Sequence, residues 1–219
     1  MENIIKFLAE LKANNNKEWF DKNRDRYQES RQKMLFMTEL FNTEIRKFDT
    51  DIPLLDPKDC LFRIFRDVRF SNDKTPYKVN MGSFIAKGGR KGIWPGYYFH
   101  IEPGASFVGG GLYMPEANIL KAVRTEIGDN GDELNELLNR PSFKKFFPEL
   151  YDDQLKTAPK GYPTDHKYIH LLKYKSYAVG SVLDDKLVTG PDFIPYTIEA
   201  FREMQLVNSF LTEAMHKWM

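Results

Sequence analysis

VNMGSFIAKGGRKGIWPGYYFHIEPGASFVGGGLY, residues 79–113, is the stretch whose reading decides the fold. Residues 79–87, 96–102 and 106–113 are rich in aromatic and aliphatic side chains, and Gly88-Gly89 and Pro103-Gly104 lie where turns are needed. Strand-forming runs punctuated by glycine and proline predict an antiparallel meander. Successive side chains of a strand point to opposite faces. Tyr97, Phe99 and Ile101 therefore share one face, which reads as core, while Tyr98, His100 and Glu102 share the other. Gly109-Gly110-Gly111 leaves three positions of the last run without side chains, which marks a bulge or a close approach by another group. Residues 61–66 read as a strand ahead of these, and 174–181 as a strand after them.

Helical periodicity lies on both sides. Ile4, Ile5, Phe7, Leu8 and Leu11 form an apolar stripe over 3–13. After Asn14-Asn15-Asn16, Asn15 is expected to cap a new helix, with Glu18 reaching back toward it. Phe20, Tyr27, Met34, Met37, Phe41, Ile45 and Phe48 then follow at spacings of seven, seven, three, four, four and three, one face of a single long helix. Downstream, helices are expected at 116–127, 131–139, 142–147, 165–173 and 195–217. Helices before and after a central run of strands indicate an α+β fold, an antiparallel β-meander sheet flanked by N-terminal and C-terminal helices. The length of 219 residues is read as one domain, 1–219, able to bury a full core.

Composition narrows the function classes. The 32 basic and 31 acidic residues leave a net charge of +1, so no global field draws the chain to nucleic acid or to a membrane surface. Any charged partner must meet a local patch. Cys60 is the only cysteine, which excludes an intrachain disulfide and a multi-cysteine metal cage and suits a cytoplasmic setting. No run approaches the roughly 18 apolar residues of a membrane span, and the opening MENIIKFLAELK lacks the apolar core of a secretory leader.

The charge is concentrated in FRIFRDVRFSNDKTPYK, residues 62–78. Arg63, Arg66, Arg69, Lys74 and Lys78 stand against Asp67 and Asp73, a local +3 in a chain whose total is +1. On a strand over 61–66 each face would mix arginine with large apolar groups. A buried guanidinium needs a partner, either a protein carboxylate or an anionic ligand. Arginine's planar fork suits carboxylate and phosphate, and the turn begun by Ser71-Asn72, with Thr75 and Tyr77 beyond it, offers further donors. The five cations are the candidate anion-binding residues, with Asp67, Asp73 and Tyr77 supporting them.

NNNKEWFDKNRDRY (14–27), FRIFRDVRFSNDKTPYK (62–78), GGGLYMP (109–115) and DHKYIHLLKYKSYAV (165–179) occur in order along most of the chain. Together they resemble an uncharacterised bacterial and fungal family known only as a domain of unknown function. Its core pattern, R-x-x-R-D-x-R-F-S-x-D-K-x-P-Y-K, is matched from Arg63 through Lys78. The resemblance implies the extent of the domain and draws attention to the basic segment. It implies no activity, cofactor or catalytic residue.

Other groups carry weaker signals. His166 and His170 are four apart on the expected 165–173 helix, but HExxH is absent and no third ligand is evident, so no metal site is assigned. His100 beside Glu102 is a candidate acid–base pair, of more weight should its face open toward the arginine segment. GGRKG (88–92) is a turn and lacks the P-loop pattern. Cys60 reads as a core thiol. The charged run 17–33 reads as a solvated helix face, and the aromatics Trp94, Tyr97, Tyr98, Phe107 and Tyr113 as packing.

Three readings stay open. The first is recognition of an anion, a phosphate-bearing small molecule or a nucleic-acid backbone, through the arginine segment. The second is a phosphoesterase or nuclease-like enzyme, metal-dependent, for which Asp67, Asp73, His100 and Glu102 are the available candidates and the basic segment supplies cations for the transition state. The third is a protein-interaction domain whose charges form a structural network. No cofactor is indicated, and the residues do not decide whether the chain is an enzyme.

Overall fold

Four strands pair in the order β1-β2-β3-β4: β1 (Met81–Ala86), β2 (Gly96–Ile101), β3 (Ser106–Leu112) and β4 (Tyr177–Leu183). The computed structural model describes residues 1–219. Ahead of the sheet come α1 (Glu2–Ala13), α2 (Lys17–Lys22), α3 (Arg24–Ile45) and α4 (Pro57–Cys60); between β3 and β4 lie α5 (Ala117–Asn139), α6 (Pro141–Lys144) and α7 (Ile169–Leu172); after β4 come α8 (Asp185–Thr189) and α9 (Phe193–Trp218). This is an α+β fold with an antiparallel meander and helices at both ends of the chain. No helix is long and apolar enough to cross a membrane.

Contacts group the residues into two units: Met1–Gly92 with Tyr98–Val108 and Val182–Ile198, and Ile93–Tyr97 with Gly109–Ser181 and Glu199–Met219. In the first unit, Ile4, Phe7, Leu8 and Leu11 of α1 are buried, as their spacing predicts. Met34, Met37, Phe41 and Ile45 of α3 are buried as well. Phe41 meets Phe99 edge-on at 5.1 Å and Phe193 at 6.1 Å. The buried hydroxyls of Thr38 and Ser83 pair at 2.9 Å, so α3 covers the β1 face that carries Ser83. Burying two hydroxyls is tolerable only because they satisfy each other and Thr38 also reaches Met34 O at 2.8 Å.

In the N-terminal helices two local expectations differ from the structure. The single long helix is broken at Asn23, whose side chain donates to Trp19 O at 2.9 Å and whose backbone leaves the helical region. The apolar stripe survives the break, with the Phe20 and Tyr27 rings 5.1 Å apart. The cap of α2 is Asn16, not Asn15: Asn16 Oδ1 accepts from Trp19 N at 2.9 Å. Asn15 is left free for a long-range contact described below.

The second unit is built on α5 and α9. Ile119, Val123, Ile127 and Leu134 of α5 are buried, as are Phe201, Met204, Leu211 and Met215 of α9. The sequence divides α5 at about 128–130, and Asn130 is indeed non-helical inside it. The Arg124 guanidinium donates to Leu172 O at 2.8 Å and Tyr174 O at 2.9 Å, tying α5 to the chain before β4. The triple glycine is a close approach: a side chain on Gly110 would overlap Gly96 O and one on Gly111 would overlap Tyr177 O, and both have positive φ.

Candidate functional site

The basic segment is not a continuous strand. Residues 61–66 touch their neighbours through two isolated antiparallel bridges, Leu61 to Ser83 and Phe65 to Tyr77. Phe62 N donates to Gly82 O at 2.9 Å, Arg66 N to Pro76 O at 3.0 Å, and Lys78 N to Ile64 O at 2.8 Å. These bonds fold 61–66 and 76–78 against each other and leave 67–75 as the connecting loop. Tyr77 anchors the base. Its ring is buried and stacks on Phe20 with centroids 4.0 Å apart and planes at 11°. Asn15 holds its backbone from both sides, donating to Tyr77 O at 2.9 Å and accepting from Tyr77 N at 3.1 Å.

Within the loop most of the charge is met internally. Arg66, 24% exposed, pairs with Asp73. It also donates to the Thr75 hydroxyl and to Thr75 O, the latter at 3.2 Å. Asp73 in turn accepts from Thr75 N at 2.9 Å and from the Thr75 hydroxyl at 3.0 Å. Those Thr75 bonds, followed by Arg66, lower the Asp73 pKa to about 2. Arg69 and Asp67 form a two-pronged pair at 2.9 and 2.7 Å on the surface, which holds the Asp67 carboxyl below its usual range. Lys74 Nζ donates to Val68 O at 3.0 Å. Phe70 is 95% exposed at the tip, under the Arg69 guanidinium at 5.7 Å.

Arg63 and Lys78 are different. Neither hydrogen-bonds nor pairs with a protein carboxylate through its charged group. Arg63 is exposed. Lys78 is half-buried, with its Nζ 5.5 Å from the centre of the Phe62 ring. Burial, then the nearby Arg63, lower its pKa. Of the five cations singled out in the sequence, these two are brought together with their hydrogen-bonding capacity unused.

The outward face of β2 adjoins them. Tyr97, Phe99 and Ile101 are fully buried, as the alternation requires. Tyr98, His100 and Glu102 run in a line on the other face. Tyr98 Oη is 2.9 Å from His100 Nδ1, and His100 Nε2 is 3.0 Å from Glu102 Oε2. A carboxylate only accepts, so Nε2 carries the proton toward Glu102 and Nδ1 accepts from the tyrosine. The Tyr98 pKa is pushed up to about 12, first by burial and then by Glu102. The imidazole, 12% exposed, stacks on Phe107 at 4.7 Å. Its pKa is lowered by burial and by Lys78, against the raising effect of Glu102. Phe62 meets Tyr98 edge-on at 6.1 Å. The basic segment and the β2 face are thus neighbours, although Lys78 and His100 are 22 positions apart in sequence.

The chain belongs to a conserved hypothetical family, DUF2461, which matches residues 3–210. The match spans the arginine segment, the β2 face and both units. No curated protein and no solved structure matches the chain.

The remaining candidates do not assemble. His166 precedes α7 and its Nδ1 accepts from Tyr168 N at 3.1 Å, while His170 lies within α7 with Nε2 3.4 Å from Asn135 Oδ1. No group of three or more His, Cys, Asp or Glu side chains is placed to hold a metal ion. Cys60 is buried, which pushes its thiol pKa up to about 11. A polar groove of about 310 Å³ is lined by Asn3, Lys6, Glu10, Arg26, Glu29 and Ser30. Its guanidinium, Arg26, is already forked onto Glu10 at 2.7 and 3.1 Å.

Proposed function

We propose that this protein recognises an anion bearing a phosphate group, a small molecule or a nucleic-acid backbone, between Arg63 and Lys78. The observation that carries the reading is the pair itself: two cations with no carboxylate bound, one of them half-buried on an aromatic ring. Burial makes the charged form of Lys78 costly, and an incoming anion removes that cost. Arg66, Arg69 and Lys74, which bond within the loop, shape it rather than grip the ligand. Asp67 and Asp73 orient them, and Tyr77 anchors the segment.

The structural-network reading accounts for Arg66 with Asp73 and for Arg69 with Asp67, but leaves Arg63, which touches that network only through its field on Asp67, and Lys78 without a hydrogen-bonded partner. The burial of Met34, Met37, Phe41 and Ile45 also counts against those positions of α3 as an interaction surface. The family match across most of the chain supports treating 1–219 as one functional domain, and the lone buried cysteine supports a cytoplasmic setting.

Titration of the full chain with inorganic phosphate, followed by amide NMR, tests the reading. Arg63→Ala and Lys78→Ala should each weaken binding on the order of tenfold or more, since a hydrogen bond to a charged group is worth about 1.5–3 kcal/mol. Unchanged affinity in both variants would remove the basis for the proposal. A short single-stranded DNA run in parallel separates the two sources: a nucleic-acid backbone binds with a steep salt dependence.

A further inference from the structure

We infer that Tyr98, His100 and Glu102 form a proton relay serving hydrolysis of a phosphoester bound at Arg63 and Lys78, with Tyr98 Oη as the catalytic base. The inference rests on the anion reading and adds a reaction to it. Each link is a hydrogen bond of ordinary length, 2.9 Å from Tyr98 to His100 and 3.0 Å from His100 to Glu102. A tyrosine hydroxyl stands where a triad nucleophile would stand, an imidazole takes its proton, and a carboxylate orients the imidazole. A histidine on a solvated sheet surface would be free to turn. Here both ring nitrogens are engaged and the ring is held flat against Phe107.

The proton and bond changes balance without a co-reactant other than water. Water oxygen attacks phosphorus and forms the new P–O bond. As it does so, a water proton passes to Tyr98 Oη while the tyrosine's own proton passes to His100 Nδ1. The P–O bond to the leaving group breaks and its electron pair stays on the leaving oxygen. His100 is then an imidazolium, its charge balanced by Glu102 through Nε2–H. The proton returns through Tyr98 to the leaving oxygen, and the relay is reset. Because the Tyr98 pKa is about 12, the two transfers must be concerted, with no resting tyrosinate. Arg63 and Lys78 offset the charge that grows on the phosphoryl oxygens.

The groups facing His100 decide the pH dependence. Glu102 and Tyr98 face it from β2, Lys78 from the chain before β1, and Phe107 from β3. Only neutral His100 can accept the proton, so turnover rises with pH along a limb centred below the ordinary histidine value of 6.5.

The test is hydrolysis of p-nitrophenyl phosphate and bis(p-nitrophenyl) phosphate by the full chain between about pH 5 and 9, run beside the phosphate titration. Tyr98→Phe should cut kcat by about 100-fold, the low end of what a positioned general base contributes, with phosphate affinity unchanged. Glu102, a positioning residue, should show itself in the profile. Glu102→Gln removes the charge that raises the His100 pKa, so the limb moves to lower pH while kcat falls. Phosphate binding with no turnover of either ester overturns this inference and leaves the anion reading standing. Turnover undiminished in Tyr98→Phe also overturns it. Turnover with unchanged phosphate affinity in Arg63→Ala and Lys78→Ala would sink the anion reading, and with it the placement of the ester there.

Discussion

Gly82 lies directly under the hydroxyl of Tyr98: a Cβ at position 82 would overlap Oη and come within 2.8 Å of Cζ. The glycine is needed for the space it leaves, which lets the ring lie over β1 with its hydroxyl directed at His100. Glycine 82 is thus as much part of the relay as the tyrosine, although it contributes no functional group.

Gly82→Ala should therefore dislodge Tyr98 and break its bond to His100. Overpacking of this kind costs typically about 1–3 kcal/mol. The check is twofold: urea denaturation for the stability loss, and the ¹⁵N shifts of the His100 ring for loss of the bond at Nδ1. An alanine variant with wild-type ring shifts would show that Tyr98 does not depend on this space.

Arg63 and Arg66, three residues apart, should behave oppositely. Arg66→Ala removes the bonds to Thr75 and Asp73 and should destabilise the loop by about 1 kcal/mol, seen as faster cleavage in 67–75 by a limiting protease. Arg63→Ala removes no hydrogen bond or ion pair within the protein and should alter stability by less than about 0.5 kcal/mol, while weakening phosphate binding. Equal effects of the two on stability would contradict the division between structural and ligand-facing arginines.

Acid should loosen the same loop. The folded Asp73 pKa is lowered to about 2 from an ordinary 3.8. A depressed carboxylate stabilises the fold above its unfolded pKa and loses that contribution as pH falls through the folded one. Exchange of the Thr75 amide, measured by NMR, should accelerate as pH falls from about 4 toward about 2, relative to amides in α3. In Asp73→Asn the extra acceleration should vanish.

Asn15→Ala should cost about 1–3 kcal/mol, because it leaves Tyr77 N and O without their partner in a part-buried position. Asn15→Asp discriminates further. It keeps an acceptor for Tyr77 N but sets a carboxylate oxygen against Tyr77 O, so it should be no more stable than the alanine variant. Thermal melts of the three proteins settle the order.

The fold was legible where it depends on periodicity. The alternation through 96–102 placed Tyr97, Phe99 and Ile101 inward and Tyr98, His100 and Glu102 outward, and the turns at Gly88-Gly89 and Pro103-Gly104 set the meander. Where two near-equal local choices compete, the reading failed. Asn15 and Asn16 are both good caps, and the decision fell to Asn16 because Tyr77, 62 residues away from Asn15, takes the other asparagine. Residues 61–66 have strand composition but form only two bridges, since a strand exists by its partners and not by propensity alone.

For the site, the sequence by itself determined the inventory: a concentrated basic segment, an outward His–Glu pair, and a carboxylate count too small to neutralise every cation nearby. It could not assign partners. Hydrogen bonding and Coulomb interaction act over a few ångströms of space, and separation along the chain carries almost no information about that distance. Only the tertiary structure closed Arg66 onto Asp73 and Arg69 onto Asp67, left Arg63 and Lys78 unpaired, and brought Lys78 beside His100.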